Sequence, residues 1–549
     1  TNEPNVYSAI AAITVNNYQP PYDPVDKGMI LRAVSKTADG EYGEVITNTY
    51  FVGKTESYYK DMKVVSMVTD GDYLFHPDTG AYVVGSKYNG SDESLINYNK
   101  DGRESEFPVS IQVFEKGNAV YSADVGARIS GNWTRSAAQK SFRLYARSEY
   151  GTKKMKYAFF DNITDEKGKP IKKFDKITLW NGGNDFQELH FRDALIQDLA
   201  SGLALDYTAA EPCILFINGE FWGFYMLREK AEDYYIQSHY GIDEKEVALI
   251  KNGSLDSGTE EDGEAFADLC RFAATADMTK EENYNKFCSL MDVQSFMDYM
   301  TVETYVNNND WANGYMNNWI VWRSSTVNPE LQKADGKWRF ILYDLDISTG
   351  MYESAETSYS HNSLERMYTD SETSNFPDML RNLCKNDTFR QAFYDNYIRI
   401  IDTNFSQKKV NATLDSYVKS YREATMDTLL RFDLRWAADG YDYKVSYIRS
   451  FFEKRPDYAK RYVAEFCGIS SGNDSQQTAG TGKNIAPATT AWTYYGDAAF
   501  SANAVDNSFR ASVPQSKQNA WDIQAQASNL TLEKGAEYRI TFEASCTGN

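Results

Sequence analysis

Residues 213–228 read CILFINGEFWGFYMLR, two apolar and aromatic runs on either side of Asn218-Gly219-Glu220. Asn-Gly is the strongest short hairpin signal, because both residues tolerate the positive φ angles of a tight turn. The sequence therefore predicts two antiparallel strands, at 213–217 and 221–228.

The segments on either side of this hairpin differ in texture. Before it, β-branched and aromatic runs predict strands, and the helical spacing of 189–203 predicts one helix. After residue 243 the pattern is mostly helical, interrupted only by strand-like 318–323 and 338–346. The predicted class is α+β, a β-rich part followed by a helical part. The predicted strands before the hairpin are 29–34, 45–52, 63–68, 81–84, 109–114, 119–129 and 140–146, and the later helices are 264–274, 292–307, 376–403, 410–432 and 442–466.

Four segments follow from changes in composition along the chain. Residues 1–55 resemble a partial β-sandwich, and 56–469 form the main mixed domain. Residues 470–490 are rich in Ser, Gly, Gln, Thr and Ala without periodicity, which is typical of a flexible linker. Residues 491–549 alternate aromatic and polar side chains, as in a β-sandwich, but are too few to complete one.

Composition excludes several classes of function. The 549 residues carry a formal net charge of −21, so the surface repels polyanions, and neither nucleic acid nor an anionic membrane is an expected partner. No apolar run reaches the roughly 18–20 residues of a membrane span. The six Cys are scattered, without the spacing of a zinc site. Since the chain begins at Thr1, we expect it to be a piece of a longer polypeptide.

Common catalytic motifs are absent from the sequence. Gly480-Thr481-Gly482-Lys483 lacks the flanking residues of a P-loop and lies in the predicted linker. No G-x-S-x-G elbow and no H-E-x-x-H motif occurs. The acidic residues 256–264 lack the ligand order of an EF-hand, so a solvated charge run explains them better.

Two short segments combine the groups that phosphoryl transfer requires. A kinase needs a carboxylate that accepts the proton of the substrate hydroxyl, an amide oxygen shortly afterwards for a metal, and a second carboxylate at the end of a strand. Asp310, then Asn317 or Asn318, then Asp344 occur in that order. If the strand stays extended through residue 345, Asp346 projects to the same side as Asp344. Singly, each is better explained as a cap or turn residue; their order is what favours the functional interpretation.

The β-rich part supplies candidate cations for nucleotide phosphates. The turn after Gly126-Ala127-Arg128 leads into Lys140-Ser141-Phe142-Arg143, so Arg128, Lys140 and Arg143 are the candidates. A single Lys on a strand is more often solvated, and this alternative stays open.

Several stretches together resemble the CotH (spore coat protein H) kinase family. They are GARISGNWTR with KSFR (126–143), LWNGGND with FRDALIQDL (179–199), LFINGEFWGFYMLREK (215–230), NNNDW with NNW and WR (307–323), WRFILYDLD (338–346) and RPDYAKRYVAEF (455–466). The resemblance covers about residues 63–467. It implies a two-lobed atypical protein kinase that uses ATP and a divalent cation, Mg²⁺ or alternatively Mn²⁺ or Ca²⁺.

The resemblance also assigns roles to residues. It implies that Asp310 is the catalytic base, Asp344 the metal-binding carboxylate and Asp346 a second metal ligand. It makes Lys140 the phosphate-contacting cation, with Arg128 and Arg143 nearby. Residues 227–230, including Glu229, become the hinge beside adenine.

Two features depart from the family pattern. Gly314-Tyr315-Met316 lengthen the loop, so Asn317 and Asn318 lie seven and eight residues after Asp310. The helix of residues 189–203 has no Glu for Lys140, so Asp193 or Gln197 must take that place. For Asn181, Arg192 and Asp193, helix capping and hydrogen bonding between the two parts is favoured over substrate contact.

The flanks resemble other families. Residues 1–55 are similar to the end of a chitobiase-type C-terminal sandwich, and 491–549 to the first half of a CenC-like carbohydrate-binding module. The first hypothesis is a secreted bacterial kinase that phosphorylates Ser or Thr in a Ser/Thr-rich protein, within a polysaccharide-degrading complex such as a cellulosome, with polysaccharide as a further partner of the complete C-terminal module. The alternative is a weak or inactive kinase-like scaffold in such an assembly. A third hypothesis, a carbohydrate-binding adhesin, leaves Lys140, Asp310 and Asp344 unexplained.

Overall fold

A computed structural model describes residues 24–53, 58–161, 163–311, 317–365 and 376–469, together with the backbone of four short strands beyond residue 492. The chain divides into two units, Thr1–Ile469 and Ser470–Asn549. The first unit contains the predicted functional residues and is treated by itself below.

The strands and helices are numbered in chain order. The described strands are β1 (Met29–Lys36), β2 (Tyr42–Tyr50), β3 (Lys63–Val68), β4 (Phe107–Glu115), β5 (Asn118–Ser130), β6 (Ser141–Tyr145), β7 (Met155–Lys156), β8 (Lys173–Phe174), β9 (Lys176–Trp180), β10 (Asp206–Tyr207), β11 (Ala210–Ile217), β12 (Glu220–Arg228), β13 (Val247–Lys251), β14 (Ser254–Ser257), β15 (Ile320–Ser324), β16 (Arg339–Leu342), β17 (Thr493–Tyr495), β18 (Ala499–Asn503), β19 (Ser508–Ser512) and β20 (Gln524–Gln526). The described α-helices are α1 (Gly71–Phe75), α2 (Arg192–Leu199), α3 (Asp233–Tyr240), α4 (Glu260–Thr275), α5 (Glu281–Leu290), α6 (Val293–Tyr305), α7 (Phe376–Leu383), α8 (Asp387–Asp402), α9 (Gln407–Arg431) and α10 (Arg435–Cys467).

Seven strands close into a barrel in the order β11-β12-β9-β6-β5-β4-β3. All neighbours are antiparallel except β3 and β11, whose parallel pairing closes the barrel. The predicted hairpin forms at β11–β12, where Asn218 and Gly219 both have positive φ angles. Its strands are buried along most of their length, because the barrel covers one face and other elements cover the second.

A second sheet of five strands, in the order β10-β16-β15-β13-β14, lies among the helices. Local capping explains where several of these helices begin. Thr259 forms a capping box with Asp262 at α4, and the side chain of Asp292 accepts from the Ser295 amide at α6. Helices α4 and α6 then bury their apolar faces in a large shared core, to which the β16 residues Phe340 and Leu342 also belong.

The structure confirms the mixed α+β class and most of the predicted elements. Predicted strands at 63–68, 109–114, 119–129 and 140–146 correspond to β3, β4, β5 and β6. None of the helices that the structure describes is long and apolar enough to cross a lipid bilayer.

Several of the predicted boundaries and secondary-structure elements were wrong. Residues 81–84 form no strand, because the amides of Ala81 and Tyr82 donate to the carbonyls of Tyr73 and Leu74 around α1. The single helix predicted over 376–403 is two helices, α7 and α8, with Asn386 as the N-cap of the second. The helix predicted over 189–203 spans only α2. The hairpin β13–β14 was missed altogether.

The flanking segments are described only in part. Strands β1 and β2 form a two-stranded hairpin, and the Gly28 amide just before it donates to the Gly219 carbonyl on the barrel. In the second unit, β17 pairs with β20 and β18 with β19. Residues 1–23, the predicted linker 470–490 and most of 491–549 lie outside the described residues, so both partial sandwiches stay predictions.

Candidate active site

The loop that follows α6 carries Asp310. Helix α6 ends at Tyr305, and Asn307 takes a left-handed conformation with φ of 54° that turns the chain out of the helix. Oδ2 of Asp310 accepts a hydrogen bond of 2.9 Å from Nδ2 of Asn318, and its amide donates to Oδ1 of Asn308 over 3.2 Å. The structure therefore brings Asp310 and Asn318 together.

Asp344 and Asp346 follow β16, but the chain between them is not extended as predicted. The strand ends at Leu342, and Asp344 has a left-handed φ of 57°. The turn is held because the Leu345 amide donates to Oδ1 of Asp193 over 2.9 Å. Leu345 itself is buried in the core.

Asp346 is buried against the turn that follows β9. Its Oδ2 accepts from the Asn184 amide over 2.6 Å, and the Asn184 side chain donates to the same carboxylate. Gly183 permits this approach, because it has φ of 64° and a Cβ there would lie 2.1 Å from Oδ2 of Asp346. The turn and the carboxylate are thus fitted to one another.

A buried ion pair links the barrel to α2 and to the Asp344 turn. The guanidinium of Arg228, at the end of β12, donates to Oδ2 of Asp193 and to Oγ1 of Thr208, and lies 5.3 Å from the Trp180 ring. Asp193 therefore holds Arg228 with one oxygen and the Leu345 amide with the other. Asp193 thus couples β12 of the barrel to the Asp344 turn.

Lys140 does not pair with Asp193 or Gln197, the two partners that the sequence predicted for it. Its ammonium is buried, donates to the carbonyls of Arg135 and Ala137, and lies over the rings of Tyr82 and Tyr98. Burial lowers the pKa of Lys140 to about 7. Asp193 instead pairs with Arg228, and Gln197 donates to Asp193. The lysine secures the turn between β5 and β6.

Arg128 and Arg143 belong to a row of side chains across the barrel. Cross-strand register places Arg128 opposite Arg143, Arg143 opposite Thr178, and Thr178 opposite Arg228. Directly opposed residues project from the same face of a sheet, so the three arginines share one face. Arg128 itself donates to the Gly102 carbonyl and to the Tyr145 hydroxyl.

Glu229 is held by neighbours beside the predicted hinge. Its two oxygens accept from the Ala209 amide and contact the His239 ring at 2.9 Å. The Glu229 amide donates to the Ala209 carbonyl. The carboxylate thus fixes residues 228–230 against the start of β11.

Two residues at this site were missed by the sequence analysis. Asn252, at the tip of the β13–β14 hairpin, donates to Oδ1 of Asn317 and accepts from the Trp319 amide. Lys251 lies 3.9 Å from the Tyr343 ring centroid, and its charge partly opposes the rise that burial causes in the pKa of Asp344. An Asn-Gly pair at 252–253 was the signal that could have found this hairpin.

The electrostatics of the carboxylates fit a divalent cation. Burial, followed by the charges of Asp193 and Asp310, raises the pKa of Asp344 to about 7. Burial and the charge of Asp344 raise the pKa of Asp346 well above its ordinary value, against hydrogen bonds from Asn184. Hard oxygen ligands crowded in this way are the donor set that Mg²⁺ uses, since one or two carboxylates plus phosphate oxygens suffice. Within the described ranges, no group of three or more His, Cys, Asp and Glu side chains is arranged to hold a metal by itself.

The fold and the site together define a mixed α+β protein with a buried carboxylate site beside α2. Residues 127–459 match the family model described as CotH kinase protein, and the chain belongs to that family. Family membership identifies it as an atypical kinase. No curated protein matches the sequence.

Proposed function

We propose that this chain is a secreted protein kinase that transfers the γ-phosphoryl group of ATP to Ser or Thr of a protein. The observation that carries the proposal is the linkage of Asp310, the Asp344 turn and the Arg228–Asp193 pair within one site. Family membership supports the same reaction class. ATP and a divalent cation are implied by the family and fit the oxygen donors present.

In this proposal Asp310 orients the acceptor hydroxyl and takes its proton. Asn318 donates to Oδ2 of Asp310 and thereby orients the carboxylate for the hydroxyl. Asp344, together with Asp346, would hold the divalent cation, and a bound cation neutralises charge on the phosphates. Arg228 takes the place that the sequence analysis assigned to Lys140, because it is the cation paired with the helix carboxylate.

The arginine row supports binding of phosphates on the barrel side. Arg143 lies between Arg128 and Arg228 in the row, so three guanidinium side chains share the same sheet face. Asp101 is the acid next to Arg128 and Arg135, and their positive charges help to lower its pKa, against its own partial burial. We assign this face to the polyphosphate.

A second function, an inactive or weak kinase-like scaffold, is favoured by one observation. The amide of Asn318 is turned to Asp310, and the amide oxygen of Asn317 accepts from Asn252. Metal ligation by Asn317 would compete with Asn252 for the same amide oxygen, whereas Asn318 donates to Asp310 through its nitrogen and need not break that bond to ligate a metal. A scaffold would still bind nucleotide through the cations but would turn over slowly.

The partners are proposed from sequence. A Ser/Thr-rich secreted protein suits the reaction, and the resemblance of the C-terminal segment to a CenC-like module suits polysaccharide. The net charge of −21 disfavours nucleic acid and favours an acceptor with basic residues.

Incubation of the full chain with γ-labelled ATP, Mg²⁺ or Mn²⁺ and a Ser-rich unfolded protein tests the proposal. We expect label on Ser or Thr after acid hydrolysis, and loss of labelling with a chelator. Nucleotide binding without any transfer would favour the scaffold. Absence of both binding and transfer would refute the kinase and the scaffold together.

A further inference from the structure

Asn308 connects the two segments that carry the carboxylates. Its Oδ1 accepts from the Asp310 amide over 3.2 Å, and its Nδ2 lies 3.4 Å from the Asp344 carbonyl oxygen. The side chain is buried, with 4% of the residue exposed. One amide group therefore contacts the backbone of both residues proposed to act on the phosphoryl group.

Glu303 holds that amide in place from within α6. Its Oε2 accepts from Nδ2 of Asn308 over 2.9 Å, and its carbonyl accepts from the Asn308 amide over 3.1 Å. Glu303 is fully buried, and burial raises its pKa to about 8, so the carboxyl is mostly neutral at pH 7. Burial of this carboxyl costs free energy of folding, since burying a polar group is unfavourable unless it is hydrogen-bonded.

We propose that Glu303 and Asn308 form a positioning pair that sets the separation between Asp310 and Asp344. Glu303 fixes the orientation of the Asn308 amide, and that amide fixes the backbone of both carboxylate residues. Both members are buried, so the pair acts through Asp310 and Asp344 rather than on substrate. The inference deepens the proposed function and rests on it for the kinetic part of its test.

The backbone at these positions needs such support. Asn307 and Asp344 both have left-handed φ angles, near 54° and 57°, which cost energy for residues other than glycine. Further along the same segments, the Asn309 amide donates to the Ile347 carbonyl and the Thr349 amide to the Val306 carbonyl. Those bonds join the segments but leave the amide of Asp310 and the carbonyl of Asp344 to Asn308.

The kinetic test compares two replacements of Glu303 that have similar volume. Glu303→Gln keeps an oxygen for Asn308, and we expect kcat within about threefold of the wild type. Glu303→Met removes the acceptor, and we expect kcat to fall about 10- to 100-fold, as for other supports of active-site ligands. The kcat of Asn308→Ala should fall by a similar factor.

A double variant separates positioning from general stability. If Glu303 acts through Asn308, the variant with both Glu303→Met and Asn308→Ala loses no more activity than the worse single variant. If the factors by which the two single variants lower kcat multiply in the double variant, the two residues act independently and the proposal is wrong. Equal activity of the Met and Gln variants would refute it as well.

Amide hydrogen exchange tests the pair without any activity. The Asp310 amide should exchange about tenfold faster in Glu303→Met than in the wild type, whereas Glu303→Gln should leave its rate near that of the wild type. The β9 amides serve as an internal control for global opening. A wild type without kinase activity would count against the proposed function alone, and unchanged Asp310 exchange in Glu303→Met would count against the positioning pair alone.

Discussion

Arg455 of α10 donates a hydrogen bond of 2.7 Å to Oδ1 of Asn307, the residue at which the chain leaves α6 for the Asp310 loop. The same guanidinium donates to the carbonyls of Thr304 and Tyr305, the last residues of that helix. Since the C-terminal end of a helix carries partial negative charge, a buried cation is stabilised there without a carboxylate. A residue 148 positions away along the chain thus shapes the candidate active site.

Replacement of Arg455 should be costly because it leaves several carbonyls without donors. Its guanidinium also donates to the carbonyls of Tyr359 and His361, and it is 1% exposed. Arg455→Lys keeps the charge but loses the planar fork, and we expect the free energy of unfolding to fall by about 3 kcal/mol or more. Urea denaturation measures this.

Arg461→Lys on the same helix is the matched control for that experiment. The Arg461 side chain is 54% exposed and lies 3.7 Å from Glu465, so the change should stay within about 0.5 kcal/mol. Equal stability of the two variants would show that the Arg455 contacts contribute little.

Asp310→Asn should abolish most transfer while nucleotide binding survives. A general base serves mainly the transition state, so we expect kcat to fall about 10²-fold or more with ATP affinity nearly unchanged. Asp268→Asn, on an exposed position of α4 beside Arg271, is the control and should leave kcat intact. Unaltered turnover in Asp310→Asn would remove this residue from catalysis.

The two carboxylates after β16 should differ in their effect on metal. Asp344→Ala should abolish the Mg²⁺ dependence of ATP binding, whereas Asp346→Ala should reduce it less, because Asn184 already satisfies part of Asp346. Calorimetry of ATP binding with Mg²⁺ and with chelator measures both. Wild-type metal dependence in Asp344→Ala would contradict the assignment.

Gly183→Ala tests the fit between the turn and Asp346. The new Cβ would lie 2.1 Å from Oδ2 of Asp346, at a φ of 64° that alanine disfavours. We expect metal-dependent ATP affinity to fall about tenfold. Gly263→Ala, in α4 with open space around its Cβ, should instead gain up to about 1 kcal/mol of stability and leave affinity unchanged. Equal affinities in the two variants would mean that Asp346 does not depend on this turn.

Replacement of Lys140 should change the pH dependence of folding stability rather than nucleotide binding. Its pKa is lowered from 10.5 to about 7 by burial, so between these values the unfolded chain binds more protons than the folded one. Stability from this group therefore rises with pH across that window, by about 2 kcal/mol from pH 7 to pH 9.

Lys140→Met should remove this rise, as measured by urea denaturation at both pH values, and should change ATP affinity by less than about threefold. Lys172→Met, at an exposed position just before β8, is the control, and the stability of this variant should keep the wild-type dependence on pH. A large loss of ATP affinity in Lys140→Met would show that Lys140 contacts the phosphates after all.

The sequence predicted strands best where turn chemistry was explicit. Asn218-Gly219 marks the β11–β12 hairpin. The residues singled out by their order, Asp310, Asn318 and Asp344, lie near one another, and their roles stay predictions. The helix predicted across 376–403 failed because Asn386, a strong N-cap, was not weighed as a stop and restart signal.

The sequence alone could not show which cationic side chain pairs with Asp193 of α2. Lys140 and Arg228 both lie at the ends of barrel strands, and only the closed geometry decides which side chain meets α2. The row of Arg128, Arg143 and Arg228 depends on register between strands that lie far apart in sequence, which local patterns do not encode.

Closure of the barrel by β3 and β11 has a consequence for synthesis on the ribosome. The paired residues Lys63 and Cys213 lie 150 positions apart, so β3 leaves the exit tunnel well before its parallel partner exists. At roughly 5–20 residues per second, the interval lasts several seconds or more. During that time β3 presents an open sheet edge, with which other chains can pair. Vectorial folding of this barrel therefore favours protection of the nascent chain until residue 217 has emerged.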